Sequence, residues 1–163
     1  MIAGRSFFRE VFVSKFVSSD QILVQVDVDS REKALELISQ KGVELGFGDD
    51  AKSIYDAFIA REEQGATGME HGFAVPHAKC DVINKAGILL LKLVKPVEWP
   101  SFDDQPVDVA LALLVPGLEA GTTHLKLLSK AAVMLMDEKF RDAVRATDDT
   151  QALADLINAG LED

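Results

Sequence analysis

The chain is poor in the residues that announce several specialised classes of protein. Cys80 is the one cysteine among 163 residues, which excludes a disulfide framework and gives no reason to invoke secretion. Basic side chains are in deficit, with 17 Lys and Arg against 27 Asp and Glu and a formal charge of −10. That balance repels phosphate backbones and anionic bilayers, so a nucleic-acid partner is not expected. No window approaches 18 uncharged apolar residues, so no direct membrane insertion is expected either. Charges at Arg5, Arg9, Glu10 and Lys15 interrupt any signal-peptide core. No Gly-Lys-Ser or Gly-Lys-Thr occurs, and the glycines fit neither the P-loop nor the dinucleotide fingerprint, so no nucleotide site is indicated. A cytoplasmic domain is the expectation.

What is present fits a single globular unit. Hydrophobic residues make up 48% and charged residues 27%, close to the globular average. A chain of this length buries roughly 69% of its unfolded surface, enough for a core without staples. Residues 1–20 read as a loosely attached leader, with Phe7, Phe8, Val11, Phe12, Phe16 and Val17 on one face of a poorly capped helix. Ile22 to Val28 alternates apolar and polar side chains, as a strand does. Ser30 caps a helix carrying Ala34, Leu35, Leu37 and Ile38, ended by the stretch from Gly42 to Gly48. A second helix follows Asp49 and Asp50, with Ile54, Ala57, Phe58 and Ala60 inward. Gly65, Gly68 and Gly72 break the chain into a loop. Strands are expected at Phe73–Pro76 and Ala86–Val94. Val107–Val115 is nearly continuous in apolar residues, as a strand buried on both faces should be. A helix capped by Thr122 or Thr123 places Leu125, Leu128, Ala132 and Leu135 on one face. Two shorter helices, Glu138–Ala146 and Asp149–Asn158, finish the chain. Helices bracketing a cluster of strands imply a layered α/β domain.

Two of the three histidines lie in the glycine-punctuated stretch from Gly65 to His77. Pro76 fixes its own φ and pushes Val75 towards extended geometry, so His77 emerges from a stiff strand end. An imidazole held this way suits transient group transfer, being neutral and nucleophilic near pH 7. It also fits a surface histidine after a turn proline. His124 falls in the first turn of a helix, where free N–H groups and the positive dipole end favour phosphate or another anion; a plain cap-region histidine is the commoner reading. Arg61 can hold a phosphate through two N–H groups or simply complement a helix C-terminus. Thr67 can donate its hydroxyl to the same anion or stabilise a turn. His71, His77, Cys80 and His124 can be assembled into a zinc set on paper, but the spacing is loose and lacks a second paired motif. The acidic pairs Asp103-Asp104, Asp137-Glu138 and Asp148-Asp149 read as solvated turns and helix starts.

The ordered segments Arg61-Glu62, Ala66-Thr67-Gly68 and Gly72-Phe-Ala-Val-Pro-His77 resemble the active-site signature of the fructose/mannitol-type (type 2) enzyme IIA of the phosphoenolpyruvate-dependent sugar phosphotransferase system. Val94-Lys-Pro-Val-Glu-Trp99, Pro106-Val-Asp-Val-Ala-Leu-Ala-Leu-Leu-Val-Pro116 and His124-Leu-Lys-Leu-Leu-Ser-Lys are similar to later blocks of that family. The resemblance runs from Ile22 to Leu161. It implies a three-layer α/β/α sandwich with a mixed central sheet, and a phosphotransfer domain over residues 21–163. It also implies a phosphohistidine carrier that needs no cofactor. On that reading His77 takes a phosphoryl group on Nε2 from the phosphocarrier HPr and passes it to an enzyme IIB component. That component serves sugar uptake through a membrane enzyme IIC. His124 is the supporting histidine and Arg61 the active-site arginine. A nitrogen-type regulatory enzyme IIA, controlling partner proteins by its phosphorylation state, is the alternative the family offers. A domain that keeps the fold and has lost the chemistry is a third. Two departures stand close to the implied phosphate: His71 where the family usually has Asn, and Ala66 where Ser is common.

Overall fold

A computed structural model describes residues 16–118 and 122–162, with the side chains of residues 122–124 outside the described set. A mixed sheet lies between two helical layers. β1 (Ile22–Val26) pairs in parallel with β4 (Gly87–Val97), and β4 pairs antiparallel with β5 (Val107–Pro116). Two short strands, β2 (Phe73–Ala74) and β3 (His77–Cys80), share the other edge of β5, both parallel to it. The helices are α1 (Arg31–Glu44), α2 (Ala51–Gln64), α3 (Thr122–Met136), α4 (Glu138–Ala146) and α5 (Thr150–Leu161).

The layering follows from alternation along the central strands. Ile88 and Leu90 of β4, with Val109, Leu111 and Leu113 of β5, pack in the same cluster as Ala131, Met134 and Leu135 of α3 and apolar residues of α4 and α5. Their neighbours Leu89, Leu91, Ala110, Ala112 and Leu114 pack with Leu35 and Ile38 of α1 and Ile54 and Phe58 of α2. A strand covered on both faces needs an apolar side chain at every position, which is why these segments read as continuous runs. The fold is thus the three-layer α/β/α sandwich.

Local chemistry sets the helix ends. The Ser30 side chain accepts the Lys33 N–H at 3.1 Å, Asp137 that of Lys139 at 3.0 Å, and Asp149 that of Ala152 at 3.0 Å, each satisfying a donor the first turn leaves unpaired. Gly46, at φ +86°, closes α1 with the Phe47 N–H on the Gly42 carbonyl at 2.8 Å, a left-handed exit that suits glycine.

Several positions differ from the sequence expectation. Ala60 is exposed; Ile54, Phe58 and Glu62 take the inward stripe of α2, because positions i, i+4 and i+8 share one helix face. In α3 Leu128 and Leu135 pack inward as expected, joined by Ala131 and Met134, while Leu125 is exposed. The end of the expected leader is tied down: Val17 is buried, its N–H donates to Asn158 Oδ1 and its carbonyl accepts from Asn158 Nδ2. The helix expected from Phe7, Phe8, Val11 and Phe12 lies outside the described residues.

Candidate functional site

The site is built where the β2–β3 edge is interrupted. Proline has no N–H to give to a ladder, and pairing with β5 skips Val75 and Pro76 between Ala74↔Ala110 and His77↔Leu113. The Val75 N–H turns outward to the Thr67 carbonyl at 3.0 Å, and the Pro76 carbonyl accepts the Leu113 N–H at 3.0 Å. His77 therefore opens a new strand, β3. Sequence patterning placed it at the end of the preceding one.

The ring of His77 is held at both nitrogens. Nδ1 lies 3.1 Å from the Val75 carbonyl oxygen, and Nε2 lies 2.8 Å from Arg61 Nε. A carbonyl can only accept and a guanidinium N–H can only donate. Nδ1 therefore carries the proton, and Nε2 presents its lone pair to Arg61. That tautomer leaves Nε2 as the nucleophilic nitrogen. Arg61 is itself braced, with Nη1 donating to the Gly65 carbonyl at 2.7 Å. It stands in the last turn of α2.

Beside Arg61, Glu62 points inward with its side chain 1% exposed. A carboxylate buried this deeply needs donors, and it has them. Thr67 gives both its backbone N–H, at 3.2 Å, and its hydroxyl, and the Trp99 indole N–H donates at 3.2 Å. Arg31, at the start of α1, adds its positive charge 4.0 Å away. Close packing fixes the same loop: a Cβ on Gly68 would sit 2.3 Å from the Pro100 carbonyl oxygen.

The expected site residues thus fall in different settings. His77 and Arg61 are in direct contact. Thr67 belongs to the Glu62 cluster, and its hydroxyl proton is already given to that carboxylate. A phosphate oxygen would have to displace it. His124 occupies the first turn of α3, but its side chain lies outside the described residues. Ala66 lies in the loop between Gly65, which Arg61 holds, and Thr67, which Glu62 holds. Cys80 ends β3, half-buried, and burial pushes its thiol pKa up. Among the described residues no group of three or more His, Cys, Asp or Glu is arranged to hold a metal ion.

His71 departs from its expected place near a phosphate. It pairs with nothing at the His77 end. With Gly72 it forms the corner of a tight turn, at φ +63° and +83°, closed by the Phe73 N–H on the Glu70 carbonyl. Two successive positive φ values mark a type I′ turn, whose favoured sequence is Asn-Gly. The turn sits beyond the Phe73↔Val109 pair, four residues along β5 from His77↔Leu113, or ~13 Å at the usual strand rise. The His71 N–H donates to Asp103 at 2.9 Å and its carbonyl accepts from Arg145 at 2.7 Å.

Glu62 and Trp99 fall in the segments that carry the family resemblance, but the sequence assigns neither a role of its own. A signal for the first existed, because a glutamate continuing the Ile54–Phe58 stripe must be buried. Nothing local linked Trp99 to it across 37 residues.

Comparison with known proteins gives consistent matches. The family model described as "Phosphoenolpyruvate-dependent sugar phosphotransferase system, EIIA 2" matches residues 15–160. A nitrogen regulatory protein of Bradyrhizobium diazoefficiens is 32% identical over 145 residues, covering 89% of this chain and 94% of the relative. A fructose-specific EIIA component from Haloferax volcanii is 27% identical with the same two coverages. The crystal structure of a nitrogen regulatory protein IIA-Ntr from Neisseria meningitidis superposes with a TM-score of 0.79 at 24% identity, over 92% of this chain and 99% of that one.

Proposed function

This chain belongs to the EIIA 2 family of the phosphoenolpyruvate-dependent sugar phosphotransferase system, and on that premise we propose that it carries a phosphoryl group on Nε2 of His77. The observation that supports this reading is the two-sided hold on the ring, with Nδ1 on the Val75 carbonyl and Nε2 facing Arg61. Phosphoryl transfer asks a protein chiefly for positioning and charge stabilisation. The donor is the phosphohistidine of an HPr-type phosphocarrier. Its P–N bond breaks as the Nε2–P bond forms, and His77 keeps its Nδ1 proton on Val75, which eases the positive charge developing on the ring. Arg61 Nε–H, displaced from the lone pair, moves onto a phosphoryl oxygen. The N-terminus of α3, with His124 in its first turn, is the second source of positive potential. The energy arrives already stored in the donor's P–N bond, so the reaction needs no cofactor.

The onward step is transfer to an enzyme IIB component, which works with a membrane enzyme IIC in sugar uptake, and the site of action is the cytoplasm. No helix of the described residues is long and apolar enough to cross a membrane. The 32% relative carries a nitrogen regulatory name and the fructose-specific one stands at 27%. That ordering supports the second output, in which the phosphorylation state of His77 controls binding to partner proteins.

Intact-mass spectrometry after mixing with phosphoenolpyruvate, enzyme I and HPr tests the carrier step. One acid-labile phosphoryl adduct is expected on the wild type and none on His77→Ala. An adduct retained in His77→Ala, or none on the wild type with demonstrably active cognate HPr, overturns it. Chasing the phosphorylated protein with IIB components then separates transport from regulation.

A further inference from the structure

We infer that Glu62 is the positioning residue that sets the tautomer and aim of His77, an inference that rests on the reading of His77 as phosphoryl acceptor. Arg61 and Glu62 are adjacent on α2 yet reach opposite sides of the ring. Arg61 meets Nε2 directly. Glu62 reaches the Nδ1 side through three hydrogen bonds joined by the backbone of Thr67 and Val75. Its carboxylate accepts the Thr67 N–H, the Thr67 carbonyl accepts the Val75 N–H, and the Val75 carbonyl accepts Nδ1–H of His77.

The middle link is the sensitive one. Val75 is skipped by the ladder with β5; its N–H is held by the Thr67 carbonyl beside the Gly68–Ala74 bridge, and its own carbonyl lies in the next peptide unit, joined to that one through the Val75 Cα. Thr67 in turn is fixed by the two bonds to Glu62. The same two neighbouring residues also clamp the loop between them, Arg61 at the Gly65 carbonyl and Glu62 at Thr67. Moving the Glu62 carboxylate therefore shifts, through the Val75 Cα, the acceptor that keeps the proton on Nδ1.

The donors around Glu62 make its chemistry specific. A backbone N–H, a hydroxyl and an indole N–H all converge on it, and the Arg31 Nε nearby is buried with no hydrogen-bond partner. A glutamine at this position keeps one oxygen for the Thr67 N–H and the indole N–H and sets its NH₂ against the Thr67 hydroxyl, which must turn from donor to acceptor, while the negative charge beside Arg31 is lost. Shape is retained while the polarity of half the group is reversed.

The test reads the unphosphorylated ring, so it does not depend on phosphoryl transfer. Nitrogen-15 NMR of the histidine ring resolves the protonated from the lone-pair nitrogen of His77. The wild type is expected to show Nδ1 protonated and Nε2 bare at neutral pH. In Glu62→Gln the Nδ1–H form should fall to a mixture of tautomers, the ring's titration midpoint should move, and phosphoryl acceptance should slow about tenfold. Trp99→Phe, which removes one donor and keeps an aromatic ring, should move the same signals less; it decides the matter if Glu62→Gln does not fold. A lowered melting temperature with an unchanged tautomer and midpoint overturns the inference and leaves Glu62 a staple of the loop. A wild type that gains no phosphoryl adduct overturns the carrier reading without touching the ring measurement.

Discussion

Two histidines stand six residues apart at one edge of the sheet, and each is met by an arginine, yet they are held in opposite ways. At His77 the arginine touches the ring: Arg61 donates to Nε2 while Val75 accepts from Nδ1. At His71 the arginine touches the backbone: Arg145 donates to the carbonyl, Asp103 accepts the N–H, and the ring makes no hydrogen bond among the described residues. Arg145 is further committed to Asp108, at 2.8 and 2.9 Å, and to the face of Phe73. One histidine is thus held for its side chain and the other for a turn it happens to occupy. Residue type and proximity in sequence do not separate these uses; the accounting of which atoms are bonded does.

The largest contrast to break is chemical. His77→Asn should abolish the phosphoryl adduct, and His71→Asn should leave it at the wild-type level, both read by intact mass. Equal losses would mean that the two rings act together and that the ~13 Å separation along β5 is closed in the working complex. The arginines should divide in the same way. Arg61→Gln removes the donor aimed at His77 Nε2 and, on the proposed reading, should slow acceptance by about 10²–10³, the usual effect of deleting one such donor. Arg145→Gln should change the rate less than about twofold. It should lower stability by about 1–2 kcal/mol through loss of a partly exposed ion pair and a cation–π contact. Rapid-quench phosphorylation and thermal melting measure the two quantities independently.

How far this division could be read beforehand depends on the range of the interactions that create it. β4 and β5 were legible because burial on both faces leaves a continuous apolar run. The starts of α1, α4 and α5 were legible because Ser30, Asp137 and Asp149 cap them within three residues. β3 was not, since the alternation of His77-Ala-Lys-Cys80, with Ala78 and Cys80 inward, is only four residues long, and the segment is a strand because β5 is beside it. The buried face of α3 was legible only in part, Leu128 and Leu135 turning inward and Leu125 outward, because leucine content marks hydrophobicity and not direction. The pairing of Arg61 with His77 followed only from resemblance, and the link from Trp99 to Glu62 from nothing local. His71 shows the converse: an expected role beside a phosphate gave way to a backbone requirement that the His71-Gly72 dipeptide already carried.

A pH experiment probes the weaker half of the contrast. The His71 N–H beside Asp103, followed by the Gln105 N–H and the Ser101 hydroxyl, holds that carboxyl below its ordinary value. A depressed folded-state pKa stabilises above the unfolded value, and the benefit is lost as pH falls through the folded one. Asp103→Asn should therefore be slightly less stable than wild type at pH 7, with the gap closing below the ordinary carboxylate range. A gap that stays constant with pH would assign the turn's stability to shape alone.

The smallest expected effect is the one that isolates conformation from chemistry. At φ +63° His71 occupies a region that disfavours a β-carbon, and asparagine tolerates it better than histidine does. His71→Asn should thus stabilise the turn by about 0.5 kcal/mol, a rise in melting temperature of about 1–2 °C for a chain of this size. Gly72 allows no such freedom. A Cβ there would stand 2.8 Å from Arg145 Nη2 and 2.9 Å from Asp108 Oδ1, so Gly72→Ala should destabilise both the turn and the ion pair behind it. If His71→Asn instead lowered the melting temperature, the imidazole itself would be contributing to the fold, and the separation of the two histidines into a ring that works and a backbone that turns would fail at its second member.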